Sequence, residues 1–176
     1  MTPLQTALLP TPVWPLPVVV DPDDGAVVAS GFRDLADQQG RLAPDLQARG
    51  FQAGGPAVDV VADAVAAYND GELDALEKVA VRQPGGPFLQ EAWGALRAVR
   101  AGSTATYAEL AARAGRPQAV RAAGSACARN MVAPFVPCHR ILRSDGTLGG
   151  YYYGLDVKAA LLAHEGVTVD QPALFT

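Results

Sequence analysis

Residues 82–87, Arg-Gln-Pro-Gly-Gly-Pro, set the first limit on how this chain can fold. Two prolines and two glycines in so short a stretch interrupt any helix or strand, because proline lacks an amide donor and glycine loses most backbone entropy on ordering. A chain of 176 residues broken there is predicted to form two small domains, 1–81 and 88–176, with 82–87 as the linker. Charge changes sign at the same place. Residues 1–80 hold 12 acidic and 4 basic side chains, a net of −8, whereas residues 81–176 hold 6 acidic and 10 basic, a net of +4. A basic module can supply phosphate-binding electrostatics beside an acidic, solubilising one, although Arg-bearing helices are also ordinary solvated faces.

An apolar content of 49% suffices for packed cores and argues against disorder. No apolar run approaches the roughly 18 residues of a membrane span. The first residues show no basic segment followed by an apolar one, so a reducing, cytoplasmic compartment is expected. Prolines 3, 10, 12 and 15 make the first fifteen residues read as an irregular tail. Two β-branched runs, 17–20 and 26–29, flank the turn signal Asp23-Asp24-Gly25 and predict a hairpin, the start of a small antiparallel sheet. Residues 31–56 show no clean period and are read as short elements and loops. Val58, Val61, Ala62, Val65 and Tyr68 recur at helical spacing, so a helix is expected to cover the sheet.

The second half reads as mainly helical. Phe88, Ala92, Trp93, Ala95, Leu96 and Val99 form one apolar stripe. Thr106 is placed to cap the next helix, with Glu109 at the third position of a capping box. Gly115-Arg116-Pro117 turns the chain into a further helix from Gln118 to about Ala128, with Pro117 in its first turn. Helix, short turn and helix make a helix-turn-helix, though a plain αα-hairpin has the same signature. Small residues Ala119, Ala122, Ala123 and Gly124 surround Arg121, so one long cation projects from a helix that can approach another surface closely. A final helix is expected to be capped by Asp156 and ended by Gly166.

Val136-Pro137-Cys138-His139-Arg140-Ile141 sets a thiol beside an imidazole in a chain with two of each. A thiolate is the attacking form of cysteine, and a neighbouring base makes it available. A cysteine in an apolar run is equally a small core residue, and the hexapeptide alone leaves both readings open. Cys127, Cys138, His139 and His164 lack the spacing of a structural zinc site, so no metal is expected. A disulfide between the two cysteines stays open on sequence grounds.

Six segments stand in order along the second half: Gly86-Pro87-Phe88 to Trp93, Thr106 to Ala111, Arg121 to Gly124, Asn130, Pro137 to Arg140, and Lys158 to Gly166. Together they resemble the O6-alkylguanine-DNA alkyltransferase family over roughly residues 84–166. The resemblance implies a ribonuclease H-like α/β N-terminal domain with a small antiparallel sheet. It further implies a mainly α, winged-helix-like C-terminal domain with a helix-turn-helix and an active-site cysteine. The implied activity is repair of O6-alkylguanine in double-stranded DNA by irreversible, stoichiometric transfer of the alkyl group to Cys138. No cofactor or membrane is implied, and the protein is expected to act as a monomer through the minor groove.

By the same resemblance His139 would act through a water as base and Glu165 would orient it. Tyr107 would donate to guanine N3. Arg121 would fill the space left by the flipped nucleotide, with Val120, Ala122 and Gly124 shaping its surroundings. Asn130 would organise the turn before the reactive segment. The carbonyls of Cys138 and Ile141 would accept from the guanine amine, and the Tyr152 amide would face O6. Tyr151, Tyr152, Tyr153 and Lys158 would border the pocket, whereas His164 is read as structural. The sequence departs from the family at Tyr152 and Tyr153, where small residues are usual, and at Val120 and Met131. Those rings leave a second reading, a DNA alkyl-lesion-binding module with weak or no transfer. A Cys-His hydrolase is the poorer alternative because it leaves Arg121 unused.

Overall fold

The structure, a computed structural model, describes residues 1–169 and divides the chain into two units. The first comprises Met1–Pro84 together with Met131–Phe135, and the second Gly85–Asn130 and the chain from Val136. The break falls inside the expected linker 82–87, but the expected second domain is not continuous. The chain passes between units after Pro84, and a segment inside the predicted second domain belongs to the first. Hydrogen bonding gives the reason. The Ser30 amide donates to Met131 O at 2.9 Å, Ser30 Oγ donates to Ala133 O at 2.7 Å, and the Met131 amide donates to Gln83 Oε1 at 2.8 Å.

Unit one is built on a sheet of β1 (Leu4–Leu9), β2 (Leu16–Val20), β3 (Val27–Ser30) and β4 (Phe51–Ala53) in the order β3-β2-β1-β4. The expected hairpin is β2-β3, antiparallel with Val18 opposite Ser30. The expected irregular tail instead contains β1, which lies between β2 and β4 and pairs parallel with β4. Its prolines, Pro3 and Pro10, flank the strand and remove no ladder donor inside it. Helices α1 (Leu35–Gly40) and α2 (Pro44–Ala48) occupy the stretch without period.

Helix α3 (Pro56–Asn69) buries Val58, Val61, Val65 and Tyr68, each worth about 1.5–3 kcal/mol of transfer free energy, and packs on β1 and β2. Its N-cap, Gly55, has no side chain to satisfy the first amides. Gln5 of β1 does so instead, its Oε1 accepting from the Ala57 and Val58 amides at 2.9 and 3.1 Å. A side chain at residue 55 would overlap that amide group, and the φ of +137° there also suits glycine.

Unit two contains α4 (Pro87–Arg97), α5 (Tyr107–Arg113), α6 (Val120–Ala128) and α7 (Leu155–His164). Two-residue strands β5 (Ala105–Thr106) and β6 (Ile141–Leu142) pair in parallel. Trp93 of α4 donates through Nε1 to Ala126 O of α6 at 2.9 Å, fixing the second helix of the pair against the first stripe. Thr106 caps α5 as expected, accepting from the Glu109 amide at 3.1 Å.

Two expected helix starts are corrected. Pro117 lies in a turn ahead of α6, which begins at Val120 with Ala119 as its cap residue. Asp156 lies in the first turn of α7, and Gly154 holds the cap position. α6 thus starts later than expected, because the chain first turns through Pro117 and Gln118, whereas α7 starts earlier, at Leu155. The tail from residue 170 lies outside the described residues.

Candidate active site

The β5-β6 pair is what assembles the site. It joins the strand leading directly into Tyr107 to the strand that follows the 3-10 turn Cys138–Arg140, with Ala105 opposite Ile141. A cavity of about 190 Å³ opens beside this junction, lined by Tyr107 of α5, Gly124, Cys127 and Ala128 of α6, Cys138, and Gly150, Tyr151 and Tyr152 of the loop before α7.

Cys138 is buried, and Asn130, at the end of α6, donates through Nδ2 to its Sγ at 3.3 Å and to Val136 O at 2.8 Å. Asn130 thus holds the turn and also presents an amide to the sulfur, which stabilises negative charge there. The sequence motif carries the first role but not the second, because the thiol contact depends on how residues 131–137 loop back. Neither cysteine is in a disulfide. Burial pushes the Cys127 thiol far up, with the charge of Cys138 adding, so it stays protonated on the cavity wall. Sequence reasoning weighed Cys127 only as a metal ligand or a disulfide partner.

Behind the thiol, His139 Nε2 lies 2.9 Å from Glu165 Oε2. Arg140 donates from Nε to Glu165 Oε1 at 2.8 Å, from Nη2 to Oε2 at 3.0 Å, and from Nη1 to Val99 O at 2.7 Å. All three side chains are buried. Burial lowers the His139 pKa, with Arg140 and Lys158 adding to the fall and Glu165 opposing it, so the ring is neutral at rest. For Glu165 burial works upward, but His139 and Arg140 outweigh it and hold the carboxyl well below the usual range. A neutral ring donating from Nε2 to that carboxylate leaves Nδ1 as its basic atom, and Nδ1 is buried with no hydrogen-bond partner among the described residues. Arg140, read at first only as part of a motif, is a bidentate partner of Glu165. Its sequence separation of 25 residues hides that.

Lys158 of α7 is fully buried. Its Nζ donates to the carbonyls of Ile141 at 2.6 Å, Leu148 at 2.5 Å and Gly150 at 3.2 Å. The Ile141 carbonyl expected to meet a guanine amine therefore already accepts one bond, and it keeps a second lone pair. Tyr151 and Tyr152 face the cavity, with Tyr152 43% exposed at its mouth. Tyr153 does not line the cavity but packs edge-on against both, with ring centroids at 5.5 and 5.0 Å. Burial raises the Tyr107 pKa, with Cys127 and Cys138 adding, so it remains a hydroxyl donor at neutral pH.

On α6, Val120 and Arg121 are exposed, Ala122 and Gly124 are half-buried, and Ala123 and Ala126 face inward. Gly124 reaches the cavity, whereas Val120, Arg121 and Ala122 stand outside it. The half-buried His164 lies outside the Cys138 cavity. Among the described residues there is no group of three or more His, Cys, Asp or Glu placed to hold a metal ion, and no helix is long and apolar enough to cross a membrane.

The second unit also matches known proteins. A family profile described as the 6-O-methylguanine DNA methyltransferase DNA-binding domain matches residues 87–167. The crystal structure of Mycobacterium tuberculosis O6-methylguanine methyltransferase is 30% identical, aligns over 94% of this chain and 93% of that one, and gives a TM-score of 0.73. The chain belongs to the O6-methylguanine-DNA methyltransferase family. The same Mycobacterium tuberculosis protein solved in complex with DNA aligns over 92% of this chain and 91% of that one, at 30% identity and a TM-score of 0.71. The methylated-DNA-protein-cysteine methyltransferase of Salmonella typhimurium is 42% identical over 106 residues, 60% of this chain. That match spans 62% of the Salmonella protein's length. The matched stretch takes in every residue that lines the cavity.

Proposed function

We propose that this protein repairs O6-alkylguanine in double-stranded DNA by transferring the alkyl group, once and irreversibly, to Cys138. The observation that carries the reading is the Asn130 amide on the Cys138 sulfur at 3.3 Å, beside a histidine held by a doubly bonded glutamate. The thiol proton passes through a water to His139 Nδ1, and Glu165 stabilises the imidazolium that forms. The sulfur then attacks the alkyl carbon. The new S–C bond forms as the C–O6 bond breaks, and the electron pair leaves with guanine. Tyr107 donates its hydroxyl to N3 of the departing base. The thioether has no leaving step, so one protein accepts one alkyl group.

A base inside a duplex cannot reach a buried thiol, so it is rotated out of the stack. Exposed Arg121, on a helix of small side chains, fills the space from the minor groove, with Val120 and Ala122 beside it. The protein acts as a monomer in a reducing, cytoplasmic setting, where the acceptor stays a thiol.

Duplex DNA carrying labelled O6-methylguanine is expected to label the protein to one equivalent, and Cys138→Ser is expected to bind the same DNA without acquiring label. Binding by the intact protein with no mass added to Cys138 would make it a lesion-binding module instead. Arg121→Ala is expected to slow repair in duplex by about 10- to 100-fold while leaving transfer from the free alkylated base within about twofold. Equal losses on the two substrates would remove Arg121 from flipping.

A further inference from the structure

Lys158 is the buried charge that the transfer chemistry above leaves unused. Its three donors reach carbonyls from two segments, Ile141 at the end of the reactive turn and Leu148 and Gly150 in the loop that follows. Only the ammonium form supplies three donors at once. The loop so held is not slack. Gly149 adopts a φ of +71°, and a side chain there would stand 3.1 Å from the Tyr107 hydroxyl and 3.3 Å from its ring. Gly150 is part of the cavity wall, beside Tyr151 and Tyr152. Two turns further, at the C-terminal cap of α7, comes Glu165, the partner of His139. One helix therefore fixes both the wall facing the thiol and the carboxylate behind it.

We infer that Lys158 is a positioning residue for the reaction: by drawing three main-chain carbonyls onto one ammonium, it sets the cavity wall that places Tyr107 and an incoming base relative to Cys138. The inference rests on the alkyl-transfer reading for its consequence and on geometry alone for its cause. A lysine that merely filled space would be replaced by methionine, of similar length and apolar, without moving the loop.

Amide hydrogen exchange over residues 147–152 and single-turnover kinetics with free O6-benzylguanine, compared between wild type and Lys158→Met, test both parts. In the variant those amides are expected to exchange roughly 10-fold faster while the amides of α6 stay unchanged. The half-saturating base concentration is expected to rise and the limiting rate to fall, together about 10- to 100-fold, with the endpoint still one alkyl group per protein. Exchange and both kinetic parameters within about twofold of wild type would overturn the inference.

Should the variant fail to fold, wild type decides. Burial lowers Lys158 to about 8, with Cys138 and Cys127 opposing and Arg143 assisting, so the third donor is lost as pH rises through that value. Exchange over 147–152, corrected for base catalysis, is expected to step up there, and a flat profile overturns the inference. Of the groups facing Lys158, Cys127 stays protonated and His139 stays neutral across that window. Arg143 carries a charge of the same sign, and repeating the profile in Cys138→Ser takes the neighbouring thiol out of the comparison. If wild type transfers nothing at all, the alkyl-transfer reading falls, while the exchange measurement still decides the role of Lys158.

Discussion

Asp21 in the first unit and Glu165 in the second are equally hidden, each 3% exposed, and each is held by two basic side chains. Asp21 meets Arg49 Nη1 at 2.8 Å and Arg82 Nη2 at 2.6 Å, while Glu165 meets Arg140 Nε at 2.8 Å and His139 Nε2 at 2.9 Å. The difference lies in the partners. Arg82 is 45% exposed, and its second carboxylate, Asp24, is equally open, so these groups regain water if the cluster breaks. Around Glu165 nothing regains water, because Arg140 and His139 are as buried as it is. The same grouping of charges keeps an open, solvent-facing side in one unit and none in the other. Access to solvent separates the two.

The largest effect that would test this contrast is expected from Glu165→Gln. It leaves the Arg140 guanidinium buried without a counter-charge and takes from His139 the anion that stabilises its protonated form. A loss of about 3–5 kcal/mol is expected by chemical denaturation. Transfer to Cys138 should fall by at least about 100-fold in single-turnover assays. A variant as stable as wild type would break the comparison.

Acid should expose the same contrast more gently. Folded Glu165 lies below its ordinary 4.5, so below that pH the unfolded chain takes up a proton that the folded one refuses, and stability falls from there downward. His139, held neutral when folded, adds an earlier loss beginning near its ordinary 6.5. Asp21 is also lowered, burial notwithstanding, by Arg49 and Arg82, and its contribution is lost only below about 3.8. Stability measured from pH 7 to 3 should decline in that order, and Glu165→Gln should flatten the middle of the curve. The smallest effect is expected from Arg82→Ala, at most about 1 kcal/mol and vanishing in high salt. A larger, salt-independent loss would show that the first cluster is no mere clasp.

What the sequence disclosed follows the range of each interaction. The Thr106 cap and the β2-β3 hairpin are set within a few residues, and both stand where local pattern puts them. The strand Leu4–Leu9 was hidden because its parallel partner begins at Phe51, and the prolines nearby dominate any local reading. At the site, motif and order along the chain pick out Cys138, His139 and Glu165. They say nothing of Arg140 gripping Glu165, of Asn130 touching sulfur, or of Lys158 gathering three carbonyls. Those contacts depend on the β5-β6 pairing and on the course of residues 131–137, which only the folded chain fixes.

That course has a consequence for how the protein can be divided. Met131–Phe135 runs between the end of α6 and the reactive turn, yet it belongs to the first unit, where Ser30 holds it by two hydrogen bonds. Val132, Ala133 and Phe135 are buried there. A fragment cut at Pro84 would keep the cysteine, the histidine and the helix-turn-helix, but it would carry a greasy, unmoored strip ending three residues upstream of Cys138. The acidic half is thus no detachable accessory: part of the wiring of the reactive half is threaded through it.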